Sequence, residues 1–109
     1  MSFEMREPTF VILSSLAEGP RHGYGIITDT AGLTGGTMRL QAGTLYAALD
    51  RLRVDGLVEV SSEEIVHGRL RRSFTLTTLG RSRLAEEARR RQHGAELALR
   101  RLRTKVVGA

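Results

Sequence analysis

Residues 41–56 read Gln-Ala-Gly-Thr-Leu-Tyr-Ala-Ala-Leu-Asp-Arg-Leu-Arg-Val-Asp-Gly, and the fold turns on this stretch. Leu45, Ala48, Leu49 and Leu52 recur at three- and four-residue spacing, which draws one apolar stripe down a helix. Gly56 supplies the stop signal. The outward face offers Thr44, Ala47, Asp50, Arg51 and Val54.

Two helices are predicted upstream. Pro8-Thr9 opens the first, because a proline in the first turn lacks only an N–H that would be unbonded there anyway. Phe10, Leu13, Leu16 and Ala17 share a face, and Gly19-Pro20 ends the helix, giving a span of about 8–18. His22 to Leu33 reads as the second helix, with Tyr24, Ile27 and Ala31 on one face and Ile26 beside it. Gly23 and Gly25 each cost this helix roughly 1 kcal/mol relative to alanine; glycines so placed permit a close helix–helix approach. Gly35-Gly36 ends it, and residues 37–40 form a short extended connection.

Downstream the period changes to two. Val58 and Val60 alternate with Glu59 and Ser61, a half-buried strand. Residues 62–70 read as a polar tip with His67, Gly68 and Arg69, and Arg71 to Leu76 as the return strand, with Phe74 and Leu76 on one face. The hairpin carries Arg69, Arg71 and Arg72, and strand alternation turns Arg71 and Arg72 to opposite sides. Thr77-Thr78 can cap a last helix through a side-chain oxygen. No proline interrupts residues 81–105, and a heptad seam runs through Ala85, Ala88, Gln92, Ala95, Leu99, Leu102 and Val106, with Gly94 its weak point.

The order is helix, helix, helix, strand, strand, long helix. This predicts an α+β, mostly α chain: a winged helix-turn-helix over residues 1–76 with a two-stranded wing, and a long C-terminal dimerisation helix over 77–109, in one compact unit. In such a layout the third helix enters the major groove of DNA and hairpin arginines pair with phosphates. The competing reading is a winged-helix protein–protein interaction module without direct DNA readout.

Composition bounds the reading. At 109 residues and 12.0 kDa the chain is one domain, and 40% hydrophobic residues exclude a disordered tail. No apolar run nears the roughly 18 residues of a membrane span. Met1 to Glu7 lacks a basic-then-apolar leader, so a cytoplasmic location is expected. Without cysteine there is no disulfide framework, thiolate zinc site or cysteine nucleophile. The histidines, His22, His67 and His93, lie far apart, so no metal and no cofactor is expected, and His22 reads as a cap or packing residue at the start of the second helix. No paired carboxylates, nucleophile elbow or phosphate loop emerge, which argues against an enzyme. The net charge of +5 is uneven: residues 1–80 hold eight arginines against nine acids, net −1, while residues 81–109 hold eight arginines and Lys105 against three acids, net +6. A basic helix is more often a solvated face than a reader of nucleic acid, and Arg89-Arg90-Arg91 is read that way.

Three motifs carry a family resemblance. Gly43-Thr44-Leu45-Tyr46-Ala47-Ala48-Leu49, then Arg51-Leu52 and Gly56-Leu57-Val58, resembles the recognition-helix signature of the PadR family of transcriptional regulators, GTLYPAL followed by RL and a GLI-like strand start. His22-Gly23-Tyr24 resembles its HGY motif, and residues 71–80 resemble its RRYYRLTxxG segment. Ala47 departs from the usual proline, and Ser73-Phe74-Thr75 from an aromatic-rich strand. The resemblance covers about residues 8–84. It implies a homodimeric repressor on double-stranded DNA, with a palindromic operator, a C-terminal dimerisation helix of the smaller subgroup's kind, and a small aromatic effector near the dimer interface. Phe10 and Tyr24 are the candidates for lining an effector pocket, with core packing as their other reading.

The DNA-binding candidates follow. Thr44 and Tyr46 can give hydroxyls to phosphate beside the helix N-terminus, and Tyr46 can equally pack between the third and first helices. Gly43 lets backbone approach phosphate or serves structure. Gln41 can reach phosphate or an adenine edge, or cap the helix. Arg39 precedes the helix as a phosphate candidate. Arg51 faces DNA or solvent, and Arg69, Arg71 and Arg72 are the wing candidates.

Overall fold

α3 (Ala42–Val54) forms around the stripe read from the sequence: Leu45, Ala48, Leu49 and Leu52 are its buried residues. A computed structural model gives the fold, with residues 5–108 described and side chains described for 5–104. The core closes on α3 from α1 (Glu7–Ser15), which carries Pro8 in its first turn and contributes Ile12, Leu13 and then Leu16, and from α2 (Gly23–Leu33), which contributes Ile26. α1 ends earlier than the spacing suggested. Leu16 is already its C-cap, which leaves Ala17 exposed while Val11 and Ile12 are buried.

The buried face of α2 is Gly23, Ile26 and Thr30, not the expected face of Tyr24, Ile27 and Ala31. Tyr24 stands 75% exposed. A glycine sets this phase: Gly23 has no side chain, so α3 comes directly against it. Thr30 tolerates burial because its hydroxyl donates to the Ile27 carbonyl at 3.1 Å. His22 caps the helix, its Nδ1 accepting from the Gly25 amide at 3.1 Å.

β2 (Val58–Val66) and β3 (Arg69–Leu76) form the wing, and a third short strand, β1 (Arg21–His22), joins β3 to give an antiparallel sheet in the order β1-β3-β2. Two residues are too few to show alternation, so β1 left no periodic trace. The expected tip over 62–70 is corrected to a two-residue turn. His67 and Gly68 both take positive φ, 52° and 77°, the hairpin turn whose twist matches its strands. Residues 62–66 pair with 69–73. No core lies beneath them, so burial left no pattern to read, and the ladder is backbone pairing reinforced by cross-strand ion pairs. Ser61 is a bulge between Val60 and Ser62, bonded to the Ser73 carbonyl at 3.2 Å.

α4 (Thr78–Gly108) starts at a rigid corner. The Thr77 hydroxyl donates to the Gly56 carbonyl at 2.5 Å and accepts from the Gly80 amide at 2.9 Å, while the Thr77 amide donates to the Leu57 carbonyl at 3.1 Å. Gly80 is buried so tightly that a Cβ there would run into the Leu57 carbonyl. Farther along, Glu87 is 4% exposed and accepts from Arg90 and Arg91 at 2.6–3.0 Å. Arg91 also bonds Glu7 and the Met5 carbonyl and lies 4.0 Å over the Phe10 ring. The arginine run is therefore not simply a solvated face, because Arg91 clasps α4 to α1. Beyond Arg91 the helix leaves the body, and residues 92–104 are exposed. The radius of gyration is accordingly 17.0 Å, against about 13 Å for a compact chain of this length.

Two outcomes follow. Gly80→Ala is expected to lower stability by about 2–4 kcal/mol and the melting temperature by about 10 °C or more. Gly94→Ala, with open space around it, is expected to raise stability by about 0.5–1 kcal/mol; thermal denaturation compares them. Separately, hydrogen bonds from Arg90 and then Arg91 hold the Glu87 carboxyl down to about 2 from 4.5. A carboxyl depressed in the folded state stabilises fully above its unfolded pKa, and that stability is lost as pH falls from 4.5 toward 2. Urea midpoints measured from pH 6 to pH 2.5 should fall less in Glu87→Gln than in the parent.

Candidate nucleic-acid interface

α2, the connection and α3 make the helix-turn-helix, and among the described residues nothing covers the outer surface of α3. Gln41, Ala42, Gly43, Thr44, Tyr46, Ala47, Asp50 and Arg51 are all exposed. Gln41 occupies the N-cap position without a side-chain cap bond, so the first-turn amides remain open to an anion. Arg39 is exposed in the connection, its guanidinium resting beside Gly36.

α3 has two unlike flanks. Toward the sheet stand Tyr46, Asp50, Arg53 and Val54, beside Val58, Glu59 and Val60. The Tyr46 ring tilts against Phe74 with centroids 6.5 Å apart, and its phenol end lies against the backbone of Gly23. Tyr46 is thus wedged between the start of α2 and the sheet, not between α3 and α1 as the packing alternative had it. The residue as a whole remains 47% exposed at the helix-turn-helix surface. Toward α1, a cleft of about 490 Å³ is lined by Gly43, Thr44, Ala47 and Arg51 from α3 and by Arg6, Pro8 and Thr9. Sequence reasoning missed Arg6. It belongs to no motif, and only the packing of α1 beside α3 brings it to this surface.

Two of the three wing arginines are held in ion pairs. Arg71 pairs with Glu64 at 2.5 Å and Arg72 with Glu63 at 3.5 Å, on opposite faces of the hairpin. Arg69 is exposed at the turn.

Phe10 and Tyr24 do not come together. Phe10 lies under Arg91 between α1 and α4, and Tyr24 points out from the first turn of α2. Within one chain they line no common pocket, because the phase of α2 carries Tyr24 outward. Among the described residues no cluster of histidine and carboxylate side chains has metal-site geometry, and no helix is long and apolar enough to cross a membrane. On the seam, Ala85 is half-buried and Ala88, Gln92, Ala95, Leu99 and Leu102 are exposed. Val106 lies outside the residues whose side chains are described.

The helix-turn-helix, its wing and the start of α4 coincide with a known family: the model of the transcriptional regulator PadR-like family matches residues 12–86. The chain belongs to the PadR-like family. This is a family of transcriptional regulators, not of enzymes. The chain is 38% identical over 78 residues to the transcriptional regulator Rv3488 of Mycobacterium tuberculosis, covering 72% of this chain and 69% of that one. Among solved structures it resembles a PadR-like transcription factor from Bacteroides fragilis, with a TM-score of 0.70 and 27% identity over 84% of this chain and 85% of that one. It shares its fold with Bacillus subtilis PadR, solved in complex with operator DNA, at a TM-score of 0.68 and 23% identity; the match covers 76% of this chain and 47% of that longer one.

The Gly23–Tyr46 contact makes a direct prediction. A Cβ at residue 23 would lie 2.8 Å from Tyr46 Cζ, whereas one at residue 25 makes only ordinary contacts. Gly23→Ala should therefore cost about 1–3 kcal/mol and shift the Tyr46 ring resonances in NMR spectra, while Gly25→Ala should leave those resonances in place.

Proposed function

We propose that this PadR-like regulator is a homodimeric repressor that binds a palindromic DNA operator, working in the cytoplasm. The observation that carries the reading is the uncovered outer surface of α3, with open first-turn amides and two flanks set to meet the two backbones of a major groove. Thr44 and Tyr46 give hydroxyls to phosphates beside those amides. Gln41 and Thr44 are placed to reach base edges, and Ala42 and Ala47 offer methyl groups to thymine. Arg39 and Arg51 add phosphate contacts, and Gly43 lets the backbone come close. Arg69, Arg71 and Arg72 bring the wing to the neighbouring backbone, although Arg71 and Arg72 must first leave their glutamates.

The second copy joins through α4. An exposed seam bearing Leu99 and Leu102, on a helix that projects past its own domain, supports pairing with the same seam of another chain. Twofold pairing brings two α3 helices to one face, which calls for half-sites about one helical turn apart. Repression follows where such a dimer occupies promoter DNA. Release by a small aromatic effector rests on the family resemblance alone, and within one chain Phe10 and Tyr24 do not form its site.

Selection from a random duplex pool tests this reading. Twofold-symmetric sequences should be enriched, with affinity falling steeply as salt rises. Leu99→Glu combined with Leu102→Glu should sediment as a monomer and bind the selected duplex at least about tenfold more weakly. A pool that shows no enrichment would overturn DNA readout and leave the protein–protein module in its place.

A further inference from the structure

We infer that the cleft between α1 and α3 is a phosphate-binding seat for the DNA backbone, with Arg6 and Arg51 as its cations. The inference rests on the DNA-binding reading above and adds, through Arg6, a contact outside the helix-turn-helix and the wing.

The lining has the chemistry of an anion site. Arg6 and Arg51 face it with the hydroxyl-bearing Thr9 and Thr44, and among the described residues no carboxylate lines it. Among the described residues neither arginine is held in an ion pair. Glu7, the acid next to Arg6 in the chain, is turned to Arg91. Arg91 also bonds the Met5 carbonyl, so the residues on both sides of Arg6 are pinned and Arg6 is presented at the cleft without a loop to order. Pro8, Leu40 and Ala47 supply apolar surface of the kind that packs on deoxyribose.

The opposite flank of α3 is electrostatically poorer. Asp50 and Glu59 line it around a single cation, Arg53, and in the wing beyond Arg71 pairs with Glu64 and Arg72 with Glu63, which leaves Arg69 at the turn. A helix in a major groove about 12 Å wide has a phosphate backbone on each side. The α1 flank therefore offers two unpaired guanidinium groups to one backbone, while on the other side Arg53 stands between Asp50 and Glu59, and Arg71 and Arg72 must break ion pairs to join Arg69. An arginine can take a phosphate through two parallel N–H donors, a geometry that a lysine cannot reproduce.

The test compares the full-length parent with Arg6→Ala, Arg6→Lys, Arg51→Ala and Arg72→Ala. Fluorescence anisotropy follows each on the selected duplex and on an unrelated duplex across a range of NaCl concentrations, and circular dichroism confirms that each variant folds. Arg6→Ala should lose about tenfold in affinity on both duplexes, with a salt slope shallower by about 0.9 per half-site. Arg6→Lys should keep the parent slope with weaker binding, and Arg51→Ala should behave like Arg6→Ala. Arg72→Ala should lose less than Arg6→Ala on both duplexes. Parent-like affinity and slope for Arg6→Ala would overturn the seat, and so would a loss confined to the selected duplex, which would make Arg6 a base reader. A parent that binds neither duplex would instead remove the DNA-binding reading itself.

Discussion

The corner at Thr77 holds the molecule in register. One hydroxyl bridges the carbonyl that ends the α3 turn and the amide that begins α4, and Gly80 lets α4 lie directly on the Leu57 carbonyl. Three segments cross there: the exit of α3 into β2, the end of β3, and the start of α4. The direction in which α4 leaves the body is therefore tied to the axis of α3. In the proposed dimer that tie sets the distance between the two recognition helices, although none of these residues belongs to the proposed DNA surface.

A second clasp reinforces the first. Glu87, Arg91, Glu7, the Met5 carbonyl and the Phe10 ring join α4 to the start of α1. The same contacts fix the chain on both sides of Arg6. A network that reads as scaffolding thus also presents the surface proposed to meet phosphate, and it connects the helix proposed to pair two subunits to the flank of the helix proposed to read bases.

Charge arithmetic describes this protein poorly because its arginines do different work. Arg21 ties the end of α1 to α2 through the Ser15 carbonyl and Asp29, Arg81 holds the Ala17 carbonyl, and Arg91 is the clasp. Arg71 and Arg72 steady a wing that has no core beneath it. A basic excess concentrated in the last quarter of the sequence is therefore a poor map of where a polyanion would bind. The unpaired arginines beside α3 come from the part of the chain whose net charge is slightly negative.

The sequence by itself determined the elements whose burial is periodic and local. The leucine stripe of α3 is intact in the structure, His22 and Thr77 cap the helices they precede, and the three quoted motifs are enough to identify the family. Each is settled within a few neighbouring residues, by helical spacing or by one short side chain reaching an amide three positions on. Tertiary structure alone decided the phase of α2, the two-residue strand β1, the length of the wing and the place of Arg6. These depend on contacts between segments far apart in the chain: a glycine admits a tyrosine from another helix, a strand pairs without a core beneath it, and an arginine before α1 arrives beside α3. Spacing along a chain records which face is buried, but not what comes to lie against it.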